Sequence, residues 1–491
     1  MLFNKFWKDG VFMNIIGRKN EINELLNLEQ SGKSELVALY GRRRVGKTYL
    51  INELFRDRIA FKHTGLSNEE IKNIPGTKVA AQLRAFQASL LLAGDSNPKQ
   101  INNWNEAFIR LIRLLESKNQ TERLIVFLDE FPWMDTPKSD FVAAFSWFWN
   151  NWASTKNNLM IIICGSASSW IIDNLINAHG GLYDRLTYSI KISPMTLNEC
   201  RDYFMSKNIN LPLYTISSIY MVFGGIPYYL NYYDAHYSLN ENIDRLLVRK
   251  NAKLALEYDN LFAATFTEIK TAKSIIKFLS KKKEGYTRKE IVEGLGVTDG
   301  DYIGKALKSL ENSDFIIKYV PYNGNSKEKK YKIVDLFCLF YLKHISEKKS
   351  LSENIFAENI NNKWIGLAFE NMCYNHLSKI KEALGISQVE TMQFSWSIPA
   401  SEKEKGAQID LIIERKDKII HLCEMKFYQT DYLQDEFSHN NLINKINRFN
   451  ELSKNKKSIQ VITTLITTFG LAKKDYWQDY QRVITLIDLF K

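Results

Sequence analysis

Eight consecutive residues, Gly41-Arg42-Arg43-Arg44-Val45-Gly46-Lys47-Thr48, constrain this 491-residue chain more than any others. They follow an aliphatic run, Leu36 to Tyr40, and precede an amphipathic stretch, so the expected setting is strand, glycine-rich turn, helix. The glycines let backbone N–H groups wrap an anion, and a helix N-terminus behind the turn adds partial positive charge. The spacing suits a polyphosphate: Lys47 is placed to reach the β- and γ-phosphates, and Thr48 to hold Mg²⁺.

Two further apolar runs complete this reading. Leu124 to Leu128 is too short for most helices and ends in Asp129-Glu130. Asp129 suits Mg²⁺, directly or through its water, and Glu130 suits a general base that polarises the attacking water. The run Met160 to Cys164 ends in Gly165-Ser166, where Ser166 reads either as a sensor of the γ-phosphate or as an N-cap. Arg185 reads either as an arginine finger or as a surface ion-pair partner. The expected ligands are therefore ATP and Mg²⁺.

Short buried strands alternating with amphipathic helices predict an α/β domain with a parallel sheet over 14–190. Helical residues with a Gly224-Gly225-Ile226-Pro227 break predict a small lid over 191–255. The chain carries a formal net charge of +11, and residues 266–333 alone hold 15 Lys and Arg against 9 Asp and Glu. Such a concentration favours a polyanionic partner. Helices to Lys283, from Arg288 to Gly294 and from Asp299 to Asn312, with a turn at Gly296 and a hairpin through Asn323-Gly324, fit a winged helix-turn-helix over 256–345. Its third helix would present Lys305 and Lys308, and its wing Lys327, Lys329 and Lys330, to DNA phosphates; modules of this kind also bind protein.

Residues 355–491 are expected to form a separate, small α/β domain. Ile409 to Glu414 and Ile419 to Phe427 read as a hairpin that sets Asp410 opposite Glu424, with Lys426 on the same face as Glu424. Two carboxylates and a lysine so placed can hold Mg²⁺ and position a hydroxide for attack on a phosphodiester. Glu370, on a preceding helix, is a candidate for the same site. A solvated hairpin face is the alternative for these residues.

Ile16-Gly17-Arg18-Lys19-Asn20-Glu21, the Gly41–Thr48 loop, Asp129-Glu130, Gly165-Ser166 and Gly224-Gly225-Ile226-Pro227 together resemble the archaeal-type ATPase family. That family is related to the STAND and origin-recognition branches of the AAA+ ATPases, and the resemblance covers most of residues 14–250. It departs from the pattern at Pro227 and the tyrosines after it, where origin-recognition ATPases carry a sensor arginine. Glu370, Asp410, Glu424 and Lys426 resemble the PD-(D/E)XK nuclease fold that follows such ATPases. The resemblance implies an AAA+ ATPase with a DNA-acting, metal-dependent nuclease-like domain. The alternative it leaves is a STAND-like switch whose C-terminal domain only binds. ATP, DNA and further copies of the chain are the expected partners. No apolar run approaches the ~18 residues of a membrane span, and five scattered cysteines without a C-x-x-C pair suit the cytoplasm.

Overall fold

The computed structural model describes residues 7–8, 11–12, 15–177, 182, 184–322, 328–346, 363–400, 405–452 and 459–491. The chain divides into two compact units, one of residues 1–194 and 260–267, the other of residues 195–259 and 268–491.

In the first unit, α1 (Lys19–Glu29) precedes β1 (Glu35–Tyr40), and the glycine-rich turn leads into α2 (Lys47–Phe55). Then come β2 (Ile59–Thr64), α3 (Lys78–Leu92), α4 (Trp104–Glu116), β3 (Leu124–Asp129), α5 (Phe141–Asn151), β4 (Leu159–Gly165) and β5 (Tyr188–Lys191). The five strands are all parallel, in the order β2-β3-β4-β1-β5. The three expected runs are the central strands, each within one residue of its expected start. Every residue of β3 and β4 is buried, as both faces of a parallel sheet require. One face is covered by an aromatic cluster that includes Phe86, Trp104, Phe108, Phe131, Phe141 and Phe145. Most of its rings meet edge-on or tilted, as at Trp104–Phe141, 4.7 Å apart, while Phe108 and Phe148 stack.

From β1 the chain runs to the far edge at β2 and returns through β3 and β4 to lie beside β1. In such a sheet the loops that leave the carboxyl ends of neighbouring strands form the binding crevice. The turn after β1, Asp129-Glu130 after β3 and Ser166 after β4 therefore share one edge.

The second unit opens with α6 (Leu197–Ser206) and α7 (Leu213–Phe223). The backbone N–H of Leu197, at the start of α6, donates to His376 Nε2 at 2.9 Å. His376 directly follows α12 (Lys363–Asn375) in the chain, and this bond helps to tie residues 195–259 to the C-terminal region. The division between the units falls inside α8 (Glu257–Thr265). Next come α9 (Ile269–Leu279), β6 (Tyr286–Thr287), α10 (Arg288–Leu295) and α11 (Asp301–Asn312). The strands β7 (Ile316–Tyr319) and β8 (Lys330–Ile333) pair antiparallel, and β6 joins the other side of β8. The expected first helix stops short of Lys283, and the third starts at Asp301, with Gly300 before it in extended conformation as the N-cap. The turn expected at Gly296 is present, with φ 63° closing α10. Asn323, Gly324 and Lys327 lie outside the described residues.

A second five-stranded sheet follows: β9 (Thr391–Ile398), β10 (Ala407–Arg415), β11 (Ile419–Lys426), β12 (Gln460–Thr467) and β13 (Arg482–Ile484), in that order. The first three strands are antiparallel and the last two are parallel to β11. Between β11 and β12 runs α13 (Glu436–Leu452).

Candidate functional site

The turn at Gly41–Thr48 takes its shape from residues that reach positive φ. Gly41 (φ 143°) lies so close to the Ile192 carbonyl that no Cβ fits there, and Gly46 (φ 95°) begins α2. Arg44 also has positive φ, at 74°. Arg42 and Val45 are buried, while Arg43 is half-buried and donates to the Asn260 carbonyl at 3.2 Å. Lys47 is buried, and its ammonium donates to the carbonyls of Gly41 (2.8 Å) and Arg42 (3.0 Å), so it lies back along its own loop. Arg18, part of the Ile16–Glu21 motif but given no role from sequence, donates to the Val45 carbonyl at 3.3 Å.

The Thr48 hydroxyl donates to Asp129 Oδ2 at 2.8 Å, which joins the turn after β1 to the end of β3. Glu130 sits in the left-handed region at φ 45°, unusual for a side chain of its size. Gly65, after β2, allows this bend, because a Cβ there would stand 2.7 Å from the Glu130 carbonyl. The backbone N–H (3.0 Å) and hydroxyl (2.8 Å) of Ser166 both donate to Glu130 Oε2. Burial pushes the Glu130 carboxyl above its ordinary pKa, opposed by the Lys47 charge and by the Ser166 hydrogen bonds. Arg185 is exposed in the loop before β5.

The C-terminal carboxylates gather in the second unit. The pairs Leu411 with Cys423 and Ile412 with Leu422 fix a register that sets Asp410 opposite Glu424. The hairpin loop is Lys416-Asp417-Lys418, with Lys418 at φ 66°. Asp410 is the fourth residue of its strand and not the second, because the strand begins at Ala407 and not at Ile409. Asp410 Oδ2 accepts from the Met425 N–H at 3.0 Å. Glu370 comes from α12, and all three carboxylates are buried.

Each of them meets a lysine. Lys426 stands 3.5 Å from Glu424, and Lys445 of α13 stands 2.6 Å from it. Lys283, from the turn between α9 and β6, pairs with both Glu370 and Asp410, the latter at 2.9 Å. Burial alone would raise Asp410, but Lys283, Lys445 and Lys426 outweigh it and hold the carboxyl well below the usual range. Glu370 is pushed up, by burial first and by Asp410 second. Lys332 lies fully buried nearby, 4.5 Å from the centre of the Tyr374 ring. Glu424, Lys426, Tyr432, Lys445 and Tyr480 line a cleft. Lys283, Lys332 and Lys445 belong to no motif, and sequence reasoning gave them no role. Among the described residues, no three His, Cys, Asp or Glu side chains are arranged to hold a metal ion.

A parallel sheet whose first strand ends in this lysine-bearing turn, with an acid pair closing a nearby strand, is a P-loop ATPase fold. Residues 15–233 match the family model described as an ATPase domain predominantly from Archaea. An uncharacterized protein of Methanocaldococcus jannaschii, MJECL04, is 26% identical over 423 residues, covering 84% of this chain and 87% of that one. A match of that length extends beyond the ATPase domain. Among solved structures, the Walker-type ATPase PABY2304 of Pyrococcus abyssi is 17% identical with a TM-score of 0.49, over 67% of this chain and 96% of that one. The ORC2 protein of Aeropyrum pernix is 12% identical with a TM-score of 0.42, over 68% and 95%. No described helix is long and apolar enough to cross a membrane.

Proposed function

We propose that this protein is a DNA-acting AAA+ ATPase whose C-terminal region is a metal-dependent nuclease. The hydrogen bond between Thr48 and Asp129 carries the first half of the reading, because it brings together the two side chains that would hold Mg²⁺ beside the phosphates. Bound Mg²⁺ would neutralise charge on the β- and γ-phosphates. Lys47, released from its loop carbonyls, would meet the γ-phosphate, and Glu130 would take the proton of the attacking water. Ser166 positions Glu130 through two hydrogen bonds, which supports a sensor role over a helix cap. Arg185, exposed, is assigned to transition-state charge on a nucleotide, in its own chain or a second copy.

The register of Asp410 against Glu424 supports the nuclease half. Carboxylate oxygens are the hard donors that Mg²⁺ takes. Glu370 Oε2 is buried with no hydrogen-bond partner among the described residues, so one donor atom is still to be satisfied. Asp410 and Glu424 would hold the ion, with Glu370 beside them, and the ion would supply a hydroxide at neutral pH. Lys426 would bind the scissile phosphate. The three helices and three strands of 269–333 are read as the winged helix-turn-helix, where exposed Lys305 and Lys329, with Lys308 on the same helix as Lys305, would contact DNA phosphates. Five buried free thiols suit a reducing cytoplasm.

The decisive assay incubates the full chain with duplex, single-stranded and branched DNA, with and without ATP, Mg²⁺ and Mn²⁺. Cleavage should be lost in Asp410→Ala and Glu424→Ala while ATP hydrolysis persists. Cleavage that survives both changes, or none from the unaltered chain, removes the nuclease reading. A STAND-like switch then takes its place, a reading favoured by the lysines already seated on all three carboxylates.

A further inference from the structure

We propose that Lys283 is an internal plug, which occupies with its ammonium the position between Glu370 and Asp410 that a divalent cation would take. The inference rests on reading these carboxylates as a metal centre. Lys283 lies 127 residues before Asp410 and outside the sheet that carries it. The turn that delivers it is fixed from both sides. Gly285 has φ 68° and lies too close to the Tyr331 carbonyl to carry a Cβ, and the Tyr319 hydroxyl donates to the Glu284 carbonyl. A turn so held presents its lysine to the acids in one place.

Two observations separate a removable occupant from a permanent structural pair. The Lys283 side chain keeps 32% of its surface exposed, against 4% and 6% for its two acids. Its ammonium can therefore withdraw into water along its own stem, as a long cationic side chain at a surface does. Lys332, fully buried beside the same site, has no such route. Secondly, the ammonium leaves Glu370 Oε2 without a hydrogen-bond partner among the described residues. A lysine offers three donors from a single charge, whereas a divalent cation takes six or more oxygens. The occupied arrangement thus under-uses the donors around it, and a cation of higher charge is the better fit once the lysine has left.

The test is Mn²⁺ binding to the full chain without nucleotide, followed by the loss of the free-ion paramagnetic signal. Lys283→Gln should bind Mn²⁺ at least about tenfold more tightly than the unaltered protein. Adding Asp410→Asn should erase the gain, and Lys283→Arg, which keeps the charge, should not show it. Amine labelling of the unaltered chain gives a readout that does not depend on the variant folding: Mn²⁺ should raise the reactivity of Lys283. Unchanged Mn²⁺ affinity in a folded Lys283→Gln, or labelling that Mn²⁺ never increases, overturns the plug. If Lys283→Gln gains Mn²⁺ but cuts no DNA, the plug stands and the nuclease reading falls. If the unaltered chain cuts DNA through Asp410 while Lys283→Gln gains nothing, the nuclease stands and the plug falls.

Discussion

The two acidic sites of this molecule hold their carboxylates by opposite means. In the ATPase domain each acid accepts from a hydroxyl, Asp129 from Thr48 and Glu130 from Ser166, while Lys47 rests on backbone carbonyls. In the second unit each acid meets an ammonium. A hydrogen bond to a carboxylate is exchanged for a ligand at a cost of about 1.5–3 kcal/mol. Stripping one partner from a buried ion pair costs about 3–5 kcal/mol, because a bare charge remains. The proposed nucleotide site is therefore poised to accept its ligand, and the carboxylate site is closed until something displaces a lysine.

The contrast breaks most sharply at Glu130. Glu130→Gln should retain ATP, measured with a fluorescent analogue, yet release phosphate about 10²–10⁴-fold more slowly. Ordinary turnover in that variant would take Glu130 out of the chemistry. Ser166→Ala should act more gently, slowing release by about tenfold or less, since the Ser166 N–H still holds the carboxylate. Its signature is a pH profile. The lost hydroxyl bond had lowered the Glu130 pKa, so the carboxyl rises further and the ascending limb of the rate moves to higher pH. A limb that stays in place would mean that Ser166 does not tune the base.

The smallest effect belongs to the ion-paired site and is one of stability. Glu370 is pushed up to about 7, so the folded chain holds a proton that the unfolded chain has released. Stability from this group is present at low pH and is lost as pH rises from the ordinary carboxyl value of about 4.3 towards that point. In Glu370→Gln the fall in melting temperature across this window should shrink by a few degrees. An unchanged slope would assign the titration to another group.

Much of the proposed nucleotide site is legible because its spacing is local: Gly41 to Thr48 needs only the strand before it and the helix after it. The facing of Asp410 and Glu424 is legible for a similar reason, since a three-residue loop fixes the register of two strands. Lys283 is not, because nothing in Lys281-Lys282-Lys283 separates a plug from a solvated charge run, and its partners lie far along the chain. The strand Ile59–Thr64 was readable, since buried Phe61 and His63 alternate with exposed Lys62 and Thr64, yet it carries no motif to draw notice. The edge strand Tyr188–Lys191 buries only Ile190, too little for a pattern to show.

The way residues 260–267 belong to the first unit while their neighbours on both sides belong to the second bears on how the protein is made. The peptide crosses from one unit to the other three times, so neither is a continuous stretch of the gene. During synthesis the first unit cannot be completed until residue 267 has left the ribosome. Residues 195–259 emerge earlier than that, yet they must wait for partners as distant as Phe490, whose carbonyl accepts from Arg201 at 3.4 Å. The nascent chain thus carries α7, eight of whose residues are buried in the finished fold, without its covering until α12, far along the chain, has been made. A waiting apolar helix of that kind is what chaperones bind, and a chain cut before α12 should lose soluble yield although Gly41–Thr48 is intact.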